Sequence, residues 1–414
     1  MTMPAPIIKN GAIALIALVC GAALQATSSA RETDTVGVPL TQARCIDILR
    51  HGADRTGVRD SAAAFGAAVS ASDSAAICIY VPAGTYRFTS SPTLTLRAGD
   101  PDAAIAIKGD GSGLSRLVFD TDVSGPVLRL NGSRQSFHIR DISILAGGKD
   151  KTATGLAIIQ QGAPSPNPAQ SDITGVTIRG KDGFGVSDRF ARGMYLNQVS
   201  NVSLTNTVIT GSRDGAPYAT QGICLSMDGT AASIPVQINI VSSQINHCGV
   251  GLRYGPYLQG LQIIGSNFVG NGTAIHQPAS NVGNDQLAVT ASQFNSGLHN
   301  ILLEAPIDGV TIGANDFYIA EGGVASVAMP GVQFAIQGNS FTQLGTAHAT
   351  AITIGAFMLD AGVITGNSFN NFATAILLQP SSGRVNVQSN AYSDIKGEKV
   401  VNRGKGNVVG GGSP

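Results

Sequence analysis

The chain has 414 residues, no formal net charge at pH 7 and 13% charged residues, about half the charged fraction of an average globular protein. Its 43% of hydrophobic residues exclude a disordered chain, because disorder needs high charge and few aliphatic side chains. With 26 basic and 26 acidic residues and no long basic run, the composition also argues against a nucleic-acid-binding protein.

The first 30 residues predict an export signal. Lys9 supplies a positive charge, an apolar stretch runs from Gly11 to Leu24, and small residues follow as far as Ala30. This apolar stretch is shorter than the ~20 residues that span a bilayer. We therefore expect a secreted or periplasmic protein with no membrane span once the signal is removed, and a linker over 31–43.

Four cysteines remain after the signal: Cys45, Cys78, Cys224 and Cys248. An even number in an exported chain permits disulfides, and four cysteines allow three sets of pairs. The two sequence-local pairs, Cys45 with Cys78 and Cys224 with Cys248, are the simplest, and buried free thiols are the alternative. The spacings differ from those of zinc sites, so no metal is predicted.

Residues 44–119 combine short strands with one helix. The helix is predicted to open near Asp60, which is a good N-cap residue, and to carry an apolar face that includes Phe65. Apolar strands and a turn containing Pro82 and Gly84 follow. This segment would cover an end of the repetitive structure that comes after it, where sheet edges would otherwise be bare.

From residue 105 onward helical periodicity is absent. A four-residue phrase recurs, with Asn or Ser at its second position and usually Phe at its last, as in GNSF. Its last residue is Ile245, Phe268, Phe294, Phe317, Phe341, Phe369 and Tyr392 in turn, at steps of 23, 26, 23, 24, 28 and 23 residues. Wider-spaced copies end at Ile144, Ile178 and Ile209. Alternating apolar residues predict strands, and Gly and Asn between them predict turns.

A repeat of this length with three short strands predicts an all-β, single-stranded, right-handed parallel β-helix with a short N-terminal capping helix. The aligned aromatic residues would form a ladder inside the coil. A β-propeller fits less well, because its blades run ~40 residues. We expect one domain over 44–402, with the cap and first coils in 44–119, the other coils in 120–402, and a tail over 403–414.

Three phrases in the cap resemble the pectate-lyase-like superfamily, which includes polysaccharide lyases, polygalacturonase-like hydrolases and phage tailspikes. They are HGADRTGVRDSAAAFGAAV from His51, IYVPAGTYRF from Ile79 and IKGDGSGLSRL from Ile107. The resemblance implies a parallel β-helix that acts on a polysaccharide, often one containing uronic acids. The polygalacturonase motifs NTD, DD, GHG and RIK are missing. No acidic trio imitates the calcium site of pectate lyases, so no cofactor is predicted and calcium binding is left open.

One candidate site follows from aligning GVGLRY, residues 249–254, with GTAIHQ, residues 272–277. The alignment puts Arg253 and His276 outside the coil on neighbouring strands about 5 Å apart. Tyr254 is close in sequence. β-Elimination of a uronan needs a base, an acid and a cation beside the carboxylate, so Arg253, His276 and Tyr254 are predicted to be catalytic. The alternative is that these outward residues are simply solvated.

Two further residues are predicted to bind substrate beside that site. Tyr257 follows Tyr254 closely, and Glu304 in the next coil is aligned with Tyr254 and Gln277.

A second candidate region lies where the spacing lengthens to 34, 31 and 36 residues, between Ile144 and Ile245, which predicts long loops. These loops contain Asp214, predicted to be a catalytic acid. They also hold three predicted substrate contacts, which are Asp188, Arg189 and Tyr218. Two facing carboxylates would suit a glycoside hydrolase. The alternative is that Asp and Gly serve only the turns.

Together these features predict an exported enzyme that cleaves an acidic polysaccharide by β-elimination. A glycoside hydrolase on the same scaffold is one alternative. A non-catalytic polysaccharide-binding or surface-structural protein is another. The oligomeric state is left open.

Overall fold

The computed structural model describes residues 45–72, 76–161, 169–330, 333–355 and 361–410. The export signal and linker predicted for 1–43 lie outside the described residues. In the part described, the chain winds through three parallel ladders in about 12 turns, which confirms the predicted parallel β-helix. Each strand pairs with the strand at the same position in the turns before and after it, so every turn covers the apolar interior of its neighbours.

The first ladder contains 14 strands. They are Ile46–Asp47, Ala76–Val81, Ala104–Gly109, Ser136–Arg140, Ser171–Thr174, Val202–Thr205, Val236–Val241, Gln259–Ile264, Asn284–Thr290, Ile307–Gly313, Phe334–Gln337, Gly362–Thr365, Val385–Gln388 and Val408–Val409.

The second and third ladders belong to one continuous sheet, because two long strands bend across both. These shared strands are Asn267–Gln277 and Gln293–Leu303. The second ladder also has Thr56–Asp60, Gly84–Phe88, Ser115–Phe119, Ser143–Ala146, Thr177–Gly180, Val208–Thr210, Gln244–Asn246, Asp316–Ile319, Ser340–Gln343, Ser368–Asn370 and Ala391–Ser393. The third has Thr93–Thr95, Val127–Leu130, Thr154–Gln160, Arg192–Asn197, Ile223–Asp228, Val250–Tyr254, Ala325–Met329, Thr350–Ile354, Thr374–Leu378 and Val400–Asn402.

The N-terminal cap contains a 3-10 helix, Ile48–His51, and an α-helix, Ala62–Ala71. The α-helix begins after Ser61 rather than at Asp60. The Asp60 carboxylate still accepts a hydrogen bond from the Ala62 N–H, at 3.0 Å. Phe65 is fully buried and packs edge-on against Phe88, with ring centroids 5.8 Å apart. The helix therefore covers the end of the coil, as predicted.

The recurring phrase forms the inner column of the second ladder. The register pairs Ile144 with Ile178, Ile178 with Ile209, and so on through Phe294, Phe317, Phe341, Phe369 and Tyr392. The six rings from Phe268 to Tyr392 are stacked, with centroids 4.8 to 5.5 Å apart. This confirms the predicted internal ladder.

The phrase GNSF at 338–341 shows why the repeat looks as it does. Gly338 turns the corner with φ 64°, in the left-handed region that glycine adopts without strain. Asn339 is buried and donates to the Ile312 carbonyl and to the Asn367 side chain, at 3.0 and 2.9 Å. Phe341 points into the coil. Gly338, Asn339 and Phe341 therefore each have a structural role of their own, and the phrase at 366–369 repeats the pattern.

The four cysteines form the two sequence-local disulfides. Cys45 is bonded to Cys78 and Cys224 to Cys248, with Cα–Cα distances of 4.5 and 5.7 Å. The first bond joins the start of the cap to the second strand of the first ladder. Among the described residues, no helix has the length and apolarity needed to cross a bilayer.

Candidate active site

The candidate site lies on the outer surface of the third ladder. The register aligns Tyr195, Ser226, Arg253 and His276 on four successive strands. The predicted neighbours Arg253 and His276 are therefore directly paired. The next position of the row is Leu302, so the run of polar residues ends beyond His276.

His276 and Glu304 form a close pair. The His276 Nε2 and the Glu304 Oε2 are 2.6 Å apart, and their side chains are 25% and 44% exposed. The predicted alignment of Glu304 was wrong by one residue, because Gln277 pairs with Leu303. Glu304 nevertheless reaches back to His276. Its carboxylate orients the imidazole and provides an acceptor for a proton on Nε2.

Arg253 is bound on its other side by Asp228. The Arg253 Nη1 donates to the Asp228 Oδ1 at 2.7 Å. A guanidinium has five N–H donors, so this single contact leaves donors for a ligand carboxylate. Sequence reasoning missed Asp228, which occupies an outward position on a strand that belongs to no aligned phrase.

Tyr195 is the centre of a second group in the same row. The Arg192 guanidinium lies over its ring, 4.6 Å from the centroid. The Asn197 side-chain amide donates to the Tyr195 hydroxyl at 2.5 Å. Tyr, Arg and Asn do not recur at the positions of Tyr195, Arg192 and Asn197 in the neighbouring turns. Only the strand register therefore brings this group into the row.

His299 lies one strand beyond His276, paired with Thr273. Its Nδ1 is 2.9 Å from the carbonyl oxygen of Ala325. Burial lowers the pKa of His299, and His276 lowers it further, while the Ala325 carbonyl and Glu304 act in the opposite direction. The sequence analysis did not select His299.

A cleft of about 520 Å³ lies along the strand Gln293–Leu303, where Gly297 and Leu298 line it. Its floor contains Gly249, Gly272 and Gly297, and one wall contains Tyr218. The Tyr218 ring lies against Gly297, where an added Cβ would come within 3.1 Å of the tyrosine Cβ. The Tyr218 hydroxyl donates to the Asn295 side chain at 2.7 Å. Small residues on the floor and a fixed tyrosine wall leave room for a flat, partly apolar group.

Tyr254 does not belong to the outer surface. Its side chain is fully buried inside the coil, and burial raises the pKa of its hydroxyl. The prediction of a catalytic Tyr254 is therefore wrong, since a substrate outside the coil cannot reach it. Tyr257 lies at the corner that leads from the third ladder to the first, with φ 59°, and is outside the row. Its contact with substrate stays a prediction.

Asp214 is held by two cations. The Lys149 Nζ and Arg189 Nη1 lie 2.9 and 2.7 Å from its carboxylate oxygens. The hydrogen bond from Lys149, followed by the charge of Arg189, lowers the pKa of Asp214. A carboxyl group held ionised cannot donate a proton near neutral pH, so Asp214 does not fit the predicted role of catalytic acid.

The other two loop residues have different surroundings. Arg189 is buried and also donates to Gln221 at 2.7 Å, so it joins two loops and is not free to meet a substrate. Asp188 is half-buried beside Asp182, and burial followed by the Asp182 charge raises its pKa. Nothing brings Asp188 into the row of Arg253 and His276, and its contact with substrate stays a prediction.

Within the described ranges, no group of three or more His, Cys, Asp or Glu side chains is placed to hold a metal ion.

Residues 45–253 match the family described as rhamnogalacturonase A/epimerase, pectate lyase-like. The chain belongs to this family. The match confirms the resemblance seen in the cap phrases. It also extends through six of the outer-face residues discussed above, from Arg192 to Arg253, and stops short of His276.

Solved structures show the same fold at low identity. The A-module of the mannuronan C-5 epimerase AlgE6 from Azotobacter vinelandii is 17% identical, with a TM-score of 0.65 over 89% of this chain and 99% of that one. The AlgE4 A-module from the same organism is 16% identical, with a TM-score of 0.63 over 88% and 100%. The DFA-IIIase of Arthrobacter chlorophenolicus A6, without its lid, is 13% identical, with a TM-score of 0.54 over 84% and 97%. No curated protein matches the chain in sequence.

Proposed function

We propose that this protein is an exported enzyme that cleaves a uronic-acid polysaccharide by β-elimination on the outer surface of the third ladder. The observation that carries the proposal is the pairing of Arg253 with His276, and of His276 with Glu304. It brings an imidazole next to a guanidinium on neighbouring strands of one sheet. Proton transfer by the imidazole and charge stabilisation by the guanidinium are needed together at one sugar ring.

The chemistry requires both groups at once. Removal of the proton at C5 places negative charge on the neighbouring carboxylate, and the guanidinium of Arg253 would stabilise that charge. The imidazole of His276 would transfer a proton at the reacting ring, with Glu304 fixing its orientation. Because strands lie about 4.8 Å apart, neighbouring residues of the row are close enough to act on one sugar unit.

A glycoside hydrolase is less well supported. Asp228 and Glu304 are the carboxylates at the two ends of the site, and the register separates their backbones by three strands, or roughly 14 Å. Hydrolases that use two carboxyl groups hold them about 5 to 9.5 Å apart. Here the two carboxylates are also turned to different partners, Arg253 and His276.

C-5 epimerisation of the same kind of substrate is the second candidate. It begins with the same proton removal and differs in that a proton returns to the opposite side of C5. The family description includes epimerases, and two mannuronan C-5 epimerase modules share the fold over most of both chains. That likeness is one of fold, so the product decides between the two reactions.

Product analysis of the purified protein tests the proposal. Polygalacturonate, polymannuronate and polyglucuronate are each incubated with it. A lyase yields unsaturated ends that absorb in the ultraviolet, an epimerase changes the proton NMR spectrum without chain cleavage, and a hydrolase yields reducing ends without the absorbance. Absence of product together with retention on an immobilised uronan would leave only the binding-protein alternative.

Export is tested separately. The two disulfides fit an oxidising compartment, and the first 30 residues have the pattern of a signal. Mass spectrometry of the protein from a periplasmic or culture fraction should find an N-terminus near residue 31. A full-length chain in the cytoplasmic fraction would contradict export.

A further inference from the structure

A pocket on the outer surface of the second ladder has no role in the proposed reaction. It has a volume of about 370 Å³ and is lined by residues from five successive turns, from Gly57 to Lys181. The row that contains Arg253 and His276 lies on the third ladder. The pocket is therefore separate from the candidate active site.

The floor of this pocket is apolar. Val118 and Leu145 both line it and are paired on neighbouring strands. Leu117 and Ile144, the residues before them, are buried inside the coil, so the alternation along each strand places Val118 and Leu145 on the outer side. An apolar floor with polar groups around it is the usual construction of a small-molecule site.

Two cations in the lining lack a direct partner. The side chains of Arg116 and Lys181 make no hydrogen bond or salt bridge with any residue that the structure describes. Lys181 is influenced by the charges of Asp120 and Asp188 without contacting either carboxylate. The guanidinium of Arg116 and the ammonium of Lys181 are thus available to a ligand.

The carboxylate of Asp120 does not cancel these two charges, because Arg87 already neutralises it. The Arg87 Nε and Nη2 donate to the two Asp120 carboxylate oxygens at 3.0 and 2.8 Å. Both residues line the pocket, as does Thr85, the strand partner of Arg116. The described lining therefore has an excess of positive charge, together with a hydroxyl and a carboxylate that can bond to sugar hydroxyls.

This combination fits a sugar ring that bears a carboxylate. The planar guanidinium of Arg116 can donate two parallel hydrogen bonds to a carboxylate, and Lys181 adds a second positive charge. Val118 and Leu145 would contact the C–H groups of the ring. An inorganic anion would use the two cations and leave the apolar floor without a contact.

We propose that this pocket is a second, non-catalytic binding site for a uronate unit of an anionic polysaccharide, with Arg116 and Lys181 binding its carboxylate. The site goes beyond the proposed function, because it lies on another ladder and takes no part in bond cleavage. A polymer bound at both ladders would stay on the protein longer than one bound at the third ladder alone.

Affinity electrophoresis through gels that contain polygalacturonate, polymannuronate or polyglucuronate tests the site. All proteins carry Arg253→Gln and His276→Gln, which keeps the polymer intact and weakens binding at the third ladder. Adding Arg116→Gln and Lys181→Gln should raise the dissociation constant for the bound uronan by about 10-fold or more, because hydrogen bonds to charged groups are lost. An unchanged dissociation constant on all three uronans would overturn the proposal.

The matched control adds Lys396→Gln and Arg403→Gln to the same background. It removes the same two charges at exposed positions far along the chain from the pocket. Its dissociation constant should equal that of the background protein. Equal weakening in the control would show a general attraction between charges and would overturn the pocket assignment.

Competition at equal ionic strength identifies the ligand. The sodium salts of galacturonate, mannuronate and glucuronate should release the background protein from the matching gel at a lower concentration than sodium phosphate does. Release by phosphate at the same concentration would overturn the assignment of a sugar ring.

Turnover separates this site from the proposed function. In the otherwise native chain, Arg116→Gln/Lys181→Gln should process a uronan trisaccharide at the wild-type rate, because a short substrate occupies the third ladder only. A lower kcat would overturn the non-catalytic assignment. Retardation of the wild-type protein without any product would overturn the proposed function and leave the binding site in place.

Discussion

Ile275 and His276 are adjacent in one strand and face opposite sides of it. The column of Ile275 continues through Leu252, Ile301 and Val327, and all four are buried and aliphatic. The column of His276 changes from Arg253 to Leu302 over the same turns. Stacking forces the interior to repeat, because each inner side chain contacts the same position in the next turn. The outer surface has no such constraint, so it is free to hold a unique site.

The largest expected effect is a loss of activity on replacing His276 on the outer surface. His276→Gln should lower kcat/KM by about 10²- to 10⁴-fold, because it removes the proton-transferring group. The free energy of unfolding should hardly change, since the side chain is on the surface. Steady-state kinetics and urea unfolding of the same preparation measure both. A variant that unfolds easily and keeps normal turnover per folded molecule would break the division between inner and outer faces.

A substitution inside the coil should instead lower the free energy of unfolding. Phe317→Ala removes a ring stacked between Phe294 and Phe341, with centroids 4.8 Å away on each side. We expect a loss of about 3 to 5 kcal/mol in the free energy of unfolding.

The matched control for that variant is Tyr318→Ala, at the next residue, which is 45% exposed on the outer face. Its change in stability should stay within about 0.5 kcal/mol. Equal losses in the two variants, measured by denaturant unfolding, would show that the stack does not carry the stability assigned to it.

The contact of Asp214 with Lys149 and Arg189 gives a smaller effect. Asp214→Asn leaves the buried Arg189 without its carboxylate and should cost about 1.5 to 3 kcal/mol at pH 7, toward the lower value because Asp214 is partly exposed. The pKa of Asp214 is lowered on folding. Its contribution is therefore present above the unfolded value of about 3.9 and is lost as pH falls through the folded value.

Thermal unfolding of wild type and Asp214→Asn from pH 7 to pH 3 should show the two converging at the acidic end. Asp308→Asn, at an exposed position, is the control and should follow wild type throughout. A stability difference between wild type and Asp214→Asn that grows on acidification would contradict the stabilising role of the Asp214 carboxylate.

A further test concerns His247, at a corner of the coil with φ 57°. Its ring packs edge-on against Phe184, with centroids 5.6 Å apart. Burial, and then the charge of Arg213, lowers its pKa to about 4. Between about pH 6.5 and that value the unfolded chain binds the extra proton, so the folded state loses stability as pH falls. His247→Gln should flatten the stability profile in this window, and an unchanged slope would remove His247 as the cause.

Part of the site was accessible to sequence reasoning. Aligning two apolar phrases placed Arg253 beside His276, because both phrases keep the inner column and so reveal the register. The same alternation already puts Tyr254 inside with Leu252, and applying it to every residue of the phrase would have removed Tyr254 from the candidates. The one-residue error at Glu304 was avoidable, because the 26-residue step from Phe268 to Phe294 already aligns Gln277 with Leu303.

The amino-acid sequence by itself determined the coil, its interior stack and its capped start. These features repeat because every turn meets the same neighbours, and repetition is visible in one dimension. Only the tertiary structure decided that Asp228 binds Arg253, that Lys149 and Arg189 hold Asp214, and that the His299 Nδ1 meets the Ala325 carbonyl. Those contacts join different turns through side chains that occur once each, so their distances exist only after the chain has been wound.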